Sequence, residues 1–235
     1  MSNAKPMVFV IDDDVSVRES LGMLIESAGW RAELFACGSE FLARPRVIAP
    51  SCLVLDVVLP DLSGCDLQGL LADRADMPII FISGHGDVMT TVRAMKAGAM
   101  EFLLKPFTDD AIVSAISSAI DRSCAALADA AETHALRESY ARLSPREREV
   151  MALVVSGWLN KQVGSELGIN EITVKAHRGR MMRKMNAESI CDLVRMASRL
   201  SLVWRSGRPR CSFECSPPPP TLVAAPTSAR GRWAA

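Results

Sequence analysis

Residues 1–105 alternate short apolar runs with amphipathic stretches, and this alternation is the strongest constraint on how the chain can fold. Apolar runs of about five residues are typical of buried strands, whereas the stretches between them carry apolar residues at helical spacing. Strands that alternate with helices indicate a parallel sheet with helices on both faces. The predicted strands are residues 7–11, 31–35, 51–55, 78–82 and 101–104, and the predicted helices are 16–28, 38–44, 64–74 and 87–97.

Charge separates the two halves of the chain, although its 27 basic and 27 acidic residues cancel overall. Residues 1–121 hold 9 Lys and Arg against 17 Asp and Glu, whereas residues 122–235 hold 18 against 10. An acidic half joined to a basic half suggests that the second half binds nucleic acid. Two domains that merely differ in charge are the alternative interpretation.

A second, helical domain is predicted after residue 140. A fifth helix should run from about Thr108 through an alanine-rich stretch toward Arg137. Ser144, Pro145 and Glu147 then form the pattern of a capping box with proline at the first helical position. The helices predicted from there are 145–156, 161–167, 171–185 and 188–200. The tail from about residue 203 is rich in proline and small residues, and we expect it to be disordered.

Three carboxylates and a lysine lie where predicted strands end. Asp12 and Asp13 follow the first strand, Asp56 follows the apolar run of the third, and Lys105 follows the fifth. With the strand order 2-1-3-4-5 the first and third strands are neighbours, so the three carboxylates would converge at one edge of the sheet. Mg2+ would relieve their mutual repulsion and offer coordination positions to a phosphate group. Asp56 could then attack phosphorus as a nucleophile and become an acyl phosphate.

Ser83 ends the fourth strand, and its hydroxyl could donate to a phosphoryl oxygen while Lys105 supplies a positive charge. Because Pro106 follows Lys105, a cis peptide bond that directs the lysine inward is one option. Taken singly, each residue has a plainer interpretation: a solvated acidic turn, an aspartate that caps a helix, a turn hydroxyl or a surface lysine. Their shared position at strand ends favours a common phosphate site.

Residues 160–170 have the pattern of a short helix, a turn and the start of a new helix. Gly168 supplies the left-handed conformation that ends a helix, and Asn170 can cap the next one. This spacing is that of a helix-turn-helix. In the helix that follows, the face predicted to be core holds Val174, Met181 and Met185.

Basic residues dominate that helix. The face predicted to enter a major groove consists of Lys175, Arg178, Gly179 and Met182, with the small glycine allowing close approach. Basic residues further round the helix that could meet phosphates are Arg180, Arg183 and Lys184. A solvated basic helix without a partner is the alternative interpretation.

Residues 7–121 resemble the receiver domain of two-component response regulators. The motifs that carry the resemblance are Asp12-Asp13, Asp56 with Pro60 and Gly64, Ser83-Gly84, and Lys105-Pro106-Phe107. The resemblance implies a flavodoxin-like (βα)5 fold with a parallel five-stranded sheet. It also implies transfer of a phosphoryl group to Asp56 from a sensor histidine kinase.

The same resemblance implies a metal site and a switch. Mg2+ would be bound by Asp13, Asp56 and the backbone carbonyl of Val58, with Asp12 acting through a water molecule. Ser83 and Phe102 match the hydroxyl and aromatic switch positions of the family. A simple core residue is the alternative interpretation of Phe102.

Residues 143–200 strongly resemble the LuxR-type helix-turn-helix domain of the NarL/FixJ regulators. The matching segments are 143–150, 160–161, 173–178 and 184–185, and segments 83–88 and 94–99 narrow the resemblance to FixJ-like regulators. The resemblance implies Lys175 near base edges, and Thr173, His177 and Lys161 near the DNA backbone. In this family the last helix pairs two subunits on DNA. Gly164 is a departure, because many members carry alanine there, and glycine should weaken its helix by about 1 kcal/mol.

The sequence therefore predicts a cytoplasmic transcription factor switched by phosphorylation, and not an enzyme. Its domains would be a receiver at 6–121, a helical linker at 122–140, an all-α four-helix LuxR-type domain at 141–202 and a tail at 203–235. The expected partners are a sensor kinase, double-stranded DNA, a second subunit once phosphorylated, and RNA polymerase. No stretch of membrane-spanning length is expected.

Two alternative functions are a phosphorelay intermediate and an aspartyl-phosphate hydrolase. The helix-turn-helix argues against a protein that only passes phosphate on. Aspartyl-phosphate hydrolases typically carry a second acid two residues after the nucleophile, and here that position is Val58.

Overall fold

The computed structural model describes residues 5–84 and 88–201, so the predicted tail at 203–235 lies outside the described residues. The chain divides into two compact units, Met1–Arg137 and Glu138–Ala235. The first unit contains the expected five-stranded parallel sheet in the order 2-1-3-4-5. Its strands are β1 (Met7–Ile11), β2 (Arg31–Phe35), β3 (Ser51–Asp56), β4 (Ile79–Ser83) and β5 (Glu101–Leu104).

Helices cover both faces of this sheet, which explains why its central strands are apolar without alternation. β1, β3 and β4 are buried along their whole length. On one face Phe9 and Phe81 belong to a first core, and on the other Val10 and Ile80 belong to a second. The helices that connect the strands are α1 (Val15–Ser27), α2 (Gly38–Ala43), α3 (Gly64–Leu70) and α4 (Val88–Lys96).

The fifth helix, α5 (Asp109–Ala141), continues through the segment predicted to be a helical linker and ends four residues beyond the predicted Arg137. Its buried residues Ile112, Ile116 and Ile120 pack into the second core. By length and composition α5 is the one described helix that could cross a membrane, which corrects the expectation of no such stretch. A helix that covers a sheet in a folded core passes the same test, so we assign α5 no membrane role.

The boundary between the two units falls inside α5, between Arg137 and Glu138. It therefore lies within the predicted linker, residues 122–140. The limits predicted for the receiver at residue 121 and for the helix-turn-helix domain at residue 141 stay predictions.

Beyond the end of α5, the described part of the second unit, up to residue 201, holds four helices: α6 (Pro145–Val155), α7 (Asn160–Leu167), α8 (Glu171–Met185) and α9 (Ile190–Arg199). The predicted capping box forms, because Ser144 Oγ accepts from the Glu147 N–H at 3.3 Å and Glu147 Oε2 accepts from the Ser144 N–H at 2.8 Å. α6, α7 and α8 pack together, and α9 packs on α6. The residues predicted to form the core face of α8, Val174, Met181 and Met185, are buried.

Candidate phosphate and nucleic-acid sites

Three carboxylates meet at the carboxyl edge of the sheet. Asp12 follows β1 and Asp56 ends β3, and the parallel pairing of these two strands brings the acids together. One oxygen from each of Asp12, Asp13 and Asp56 lies within 4.8 Å of the others. Asp12 and Asp56 are buried, whereas Asp13 is exposed. The cluster is therefore open to solvent at Asp13.

Lys105 joins this cluster from the end of β5. Its Nζ donates to Asp12 Oδ2 and to Asp56 Oδ2, each at 2.6 Å. Its backbone N–H donates to Ser83 O at 2.8 Å, which continues the pairing of β4 with β5. The Lys105–Pro106 peptide bond is cis. One ammonium group therefore contacts two of the three carboxylates.

Burial and contact oppose each other in the electrostatics of the cluster. Burial raises the pKa of Asp12 above its usual value and outweighs the hydrogen bonds from Lys105 and from the Asp14 N–H, which lower it. Burial would lower the pKa of Lys105, but its hydrogen bonds to Asp12 and Asp56 raise that pKa above its usual value. Lys105 is therefore a stable cation at neutral pH.

The loop after β3 holds the Asp56 carboxylate through the backbone. The Val58 N–H donates to Asp56 Oδ1 at 2.9 Å. The Gly64 N–H donates to Val57 O at 2.9 Å, which brings the start of α3 against this loop. A Cβ on Gly64 would lie 2.4 Å from Asp56 O and 3.0 Å from Phe81 Cε1. The sequence motif of Asp56 includes Gly64 but does not explain why a glycine stands there. The close approach to the Asp56 backbone explains it, because any side chain would collide with that backbone.

Ser83 and Phe102 lie on the two strands beyond β3. Ser83 ends β4 and is 3% exposed. It follows Ile82, the residue of β4 that pairs with Asp56. Phe102 is half-buried, and its ring stacks on that of Phe81 with the centroids 6.2 Å apart. Phe102 therefore packs against the first core, and it also keeps an exposed part.

The donor atoms of the acid cluster suit a hard divalent cation. Mg2+ binds oxygens at about 2.0–2.1 Å in an octahedron, so its ligand oxygens lie roughly 3–4 Å apart. The 4.8 Å limit on the separation of the three carboxylate oxygens is close to that spacing, and small side-chain movements would reach it. The residues present therefore fit Mg2+.

A tight turn joins the two helices of the predicted helix-turn-helix. Gly168 has a φ of 66°, the left-handed conformation predicted for it. Asn170 Oδ1 accepts from the Thr173 N–H at 2.7 Å and so caps α8 as predicted. A Cβ on Gly164 would lie 2.7 Å from Ile169 O. The missing side chain of Gly164 therefore lets α7 approach the turn, while the expected cost of glycine to the stability of α7 stays a prediction.

The residues predicted to contact DNA differ in exposure. Lys161 and Lys175 are exposed, whereas the half-buried members are Thr173, His177, Arg178 and Met182. Thr173 Oγ1 donates to Asn170 Oδ1 at 2.8 Å. Arg178 Nη1 donates to Asn160 Oδ1 at 3.0 Å, which links α8 to the first residue of α7. The structure thus presents Lys175 to solvent and engages Arg178 within the protein.

Lys184 has a partner that the sequence does not indicate. Its Nζ donates to Glu147 Oε2 at 2.6 Å and to Arg142 O at 3.2 Å. Burial raises the pKa of Glu147, but the hydrogen bonds from Lys184 and Ser144 outweigh burial and hold that pKa below its usual value. Lys184, which the sequence grouped with residues near phosphates, therefore ties α8 to the start of α6.

Both units of the chain are similar to domains of known proteins. Residues 8–117 match the response regulator receiver domain family, and residues 141–197 match the luxR family of bacterial regulatory proteins. Nodulation protein W of Bradyrhizobium diazoefficiens is 46% identical over 202 residues, which are 86% of this chain and 89% of that protein. Transcriptional regulatory protein FixJ of the same species is 39% identical over 200 residues, which are 85% of this chain and 98% of that protein. The structure of the response regulator StyR is 44% identical, covers 83% of this chain and 100% of that chain, and has a TM-score of 0.74.

Proposed function

Since the chain belongs to the response regulators that join a receiver domain to a LuxR-type DNA-binding domain, we propose that Asp56 is the residue that accepts the phosphoryl group. The observation that carries this proposal is the pair of 2.6 Å contacts by which Lys105 Nζ joins Asp56 to Asp12 at the edge of the sheet. The Asp56 carboxylate is also oriented by the Val58 N–H. A sensor histidine kinase would supply the phosphoryl group.

Asp13, Asp56 and the backbone carbonyl of Val58 would hold Mg2+, with Asp12 contributing through a water molecule. Bound there, Mg2+ would offset the charge of the acids and of the incoming phosphoryl group. The support for this site is the set of three carboxylate oxygens within 4.8 Å of one another. Hydrogen bonds from Lys105 Nζ and, at 2.9 Å, from the Asp14 N–H keep Asp12 in position.

In the transfer, an oxygen of Asp56 forms a bond to phosphorus while the phosphorus–nitrogen bond of a phosphohistidine breaks. The imidazole nitrogen keeps the electron pair of that bond, and the product is an acyl phosphate on Asp56. Lys105 would pair with a phosphoryl oxygen, because its Nζ already contacts Asp56 Oδ2. The Ser83 hydroxyl would donate to another oxygen, and Phe102 would repack in response. Slow hydrolysis of the acyl phosphate would reset the protein, and we propose no other reaction for it.

The phosphorylated chain would pair with a second copy through the face built from α4, β5 and α5. Four exposed or partly exposed apolar side chains project from α4: Val88, Met89, Val92 and Met95. Leu104 at the end of β5 is also exposed. A row of exposed apolar side chains on one helix is typical of a surface that is covered in an assembly. This surface begins five residues after Ser83 and ends two residues after Phe102 in the chain, so it is well placed to respond to phosphorylation.

A dimer would place two α8 helices on the two half-sites of a DNA operator. Lys175 would lie near base edges, and Lys161, Thr173 and His177 near the DNA backbone. Arg178 and Met182 would border the contact, and Arg178 would hold α7 against α8 through Asn160. Regulation of transcription would then involve RNA polymerase, and the protein would act in the cytoplasm, where bacterial DNA lies.

Intact-protein mass spectrometry after incubation with acetyl phosphate and Mg2+ tests the assignment of Asp56. Wild type should gain one phosphoryl group, and Asp56→Asn should gain none because an amide cannot form the acyl phosphate. Asp73→Asn, which changes an exposed acid of the same unit, is the matched control and should behave as wild type. Undiminished incorporation by Asp56→Asn would show that another residue is the acceptor.

A further inference from the structure

α8 presents a fully exposed face directly opposite its buried face. The buried residues are Val174, Met181 and Met185. With about 3.6 residues per turn, the residues on the opposite side of the helix are Ile172, Ala176, Gly179 and Arg183. All four are exposed. The face predicted from sequence, which includes Arg178 and Met182, lies between these two and is turned partly toward the protein.

Ile172 is the large apolar side chain on this exposed face, and it is 79% exposed. All residues of α8 are described, and among them no other large apolar side chain is exposed. Isoleucine is β-branched and a poorer helix former than alanine or lysine, so helix stability does not explain it. A single exposed isoleucine is common on protein surfaces, and its neighbours therefore decide what it can do.

The neighbours of Ile172 suit the major groove of DNA. Ala176 and Gly179 follow it along the same face, and their small size allows the helix to approach the bases closely. The exposed cations Lys175 and Arg180 flank this face, and they can meet phosphates on either side. Ile172 lies in the first turn of α8, the part of a recognition helix that contacts base edges.

We propose that Ile172 reads thymine, by packing its side chain against the C5-methyl group of one thymine in each half-site. Thymine presents this methyl group in the major groove, where apolar side chains recognise it. Lys175 then contacts the neighbouring base or phosphate. Its ion pair with Glu171, at 3.0 Å, is exposed and therefore weak enough to be exchanged. The inference rests on the proposed binding of double-stranded DNA and adds to it the base that one residue selects.

Deoxyuridine substitution tests the contact, because uracil differs from thymine only by the missing methyl group. The probes are duplexes enriched from a random DNA pool by the full-length chain treated with acetyl phosphate and Mg2+, with each thymine replaced singly. Wild type should lose about fourfold in affinity at one thymine of each half-site, which corresponds to one buried methyl group. Ile172→Ala should bind the thymine probe at least fourfold more weakly than wild type and should not distinguish thymine from uracil there.

Two variants serve as matched controls. Ile172→Val keeps a β-branched apolar side chain and should keep the preference for thymine. Lys175→Ala lies on a neighbouring row of the helix; it should weaken binding to every probe and also keep the preference. Because Ile172 and Lys175 are exposed, all three variants should show the wild-type circular dichroism spectrum and should melt close to the wild-type temperature.

Equal binding of wild type to the thymine probe and to every uracil probe would overturn the proposal while leaving DNA binding intact. Persistence of the thymine preference in Ile172→Ala, or its loss in Lys175→Ala, would also overturn it, because another residue would then read the methyl group. If the phosphorylated chain enriches no sequence from the pool, the proposed binding of DNA itself fails.

Discussion

Gly64→Ala tests how the fold positions Asp56. The added Cβ would lie 2.4 Å from Asp56 O, 3.0 Å from Phe81 Cε1 and 3.2 Å from Val57 Cα, whereas ordinary contacts of a Cβ begin at 3.4 Å. The backbone after Asp56 must therefore move by about 1 Å, and overpacking of this kind costs about 1–3 kcal/mol. Alanine regains up to about 1 kcal/mol over glycine in a helix, so we expect a net loss of about 0–3 kcal/mol in stability.

The same movement should slow phosphorylation. Asp56 Oδ1 is held by the Val58 N–H at 2.9 Å, and Gly64 holds Val57 in the same loop. A displacement of about 1 Å at the reacting group can slow a reaction by about 100-fold. The assay is the initial rate of phosphoryl incorporation from acetyl phosphate, with calorimetric melting of the same samples to measure stability.

Gly69→Ala is the matched control for this experiment. Gly69 lies in the same helix, is exposed, and has no atom within 4 Å of a Cβ built on it. Alanine there should stabilise the helix by up to about 1 kcal/mol and leave the rate of phosphorylation unchanged. The steric reasoning is refuted if Gly64→Ala melts and accepts phosphate as Gly69→Ala does.

Three further substitutions test single contacts. Glu147→Gln should destabilise the DNA-binding unit by about 1–3 kcal/mol at neutral pH, whereas Glu149→Gln, which loses only an exposed pair, should cost little. Although burial raises the pKa of Glu147, contact with Lys184 holds that pKa below the usual 4.5. The stabilisation by Glu147 is therefore present above pH 4.5 and is lost as the pH falls through the lowered pKa. The same pH dependence of melting in Glu147→Gln and wild type would contradict this. Leu159 precedes α7 and cannot cap it, because leucine has no side-chain acceptor, so Leu159→Ser should stabilise α7 by about 0.5–1 kcal/mol. Urea unfolding measures this change, and a lower urea midpoint in the variant would contradict capping by the serine. Burial raises the pKa of Asp12 and makes its carboxylate costly at neutral pH, so Asp12→Asn should raise the melting temperature in EDTA. The same substitution should reduce the increase in melting temperature that Mg2+ causes. An equal increase with Mg2+ in both proteins would exclude Asp12 from the metal site.

The strands and helices could be predicted closely from the sequence, because their signals are local. Predicted and observed strands agree within one residue at each end. Ser144, Gly168 and Asn170 act on backbone groups at most five residues away, so their roles as caps and turn former followed from spacing alone. α3 and α5 are the exceptions. α3 ends at Leu70, four residues before the predicted end at residue 74, and α5 continues to Ala141, since an alanine-rich stretch carries no signal for where its helix ends.

The acid cluster could also be predicted, because the carboxyl ends of parallel strands meet at one edge and the side chains there follow from position. The roles of Gly64 and Lys184 could not. Gly64 matters because its Cα faces the Asp56 backbone, and Lys184 because Glu147 lies beside it after α6 and α8 pack. Neither contact leaves a pattern in the sequence around the residue.

The sequence by itself determined the two kinds of unit, the order of their elements and the convergence of Asp12, Asp13, Asp56 and Lys105. These depend on apolar periodicity and on where strands end, which are properties of consecutive residues. Only the tertiary structure decided which polar groups pair across the molecule and which face of α8 remains exposed. A helical face is free or engaged according to what packs beside it. The hydrogen bond from Arg178 to Asn160 engages one face of α8, whereas the face that carries Ile172 remains exposed.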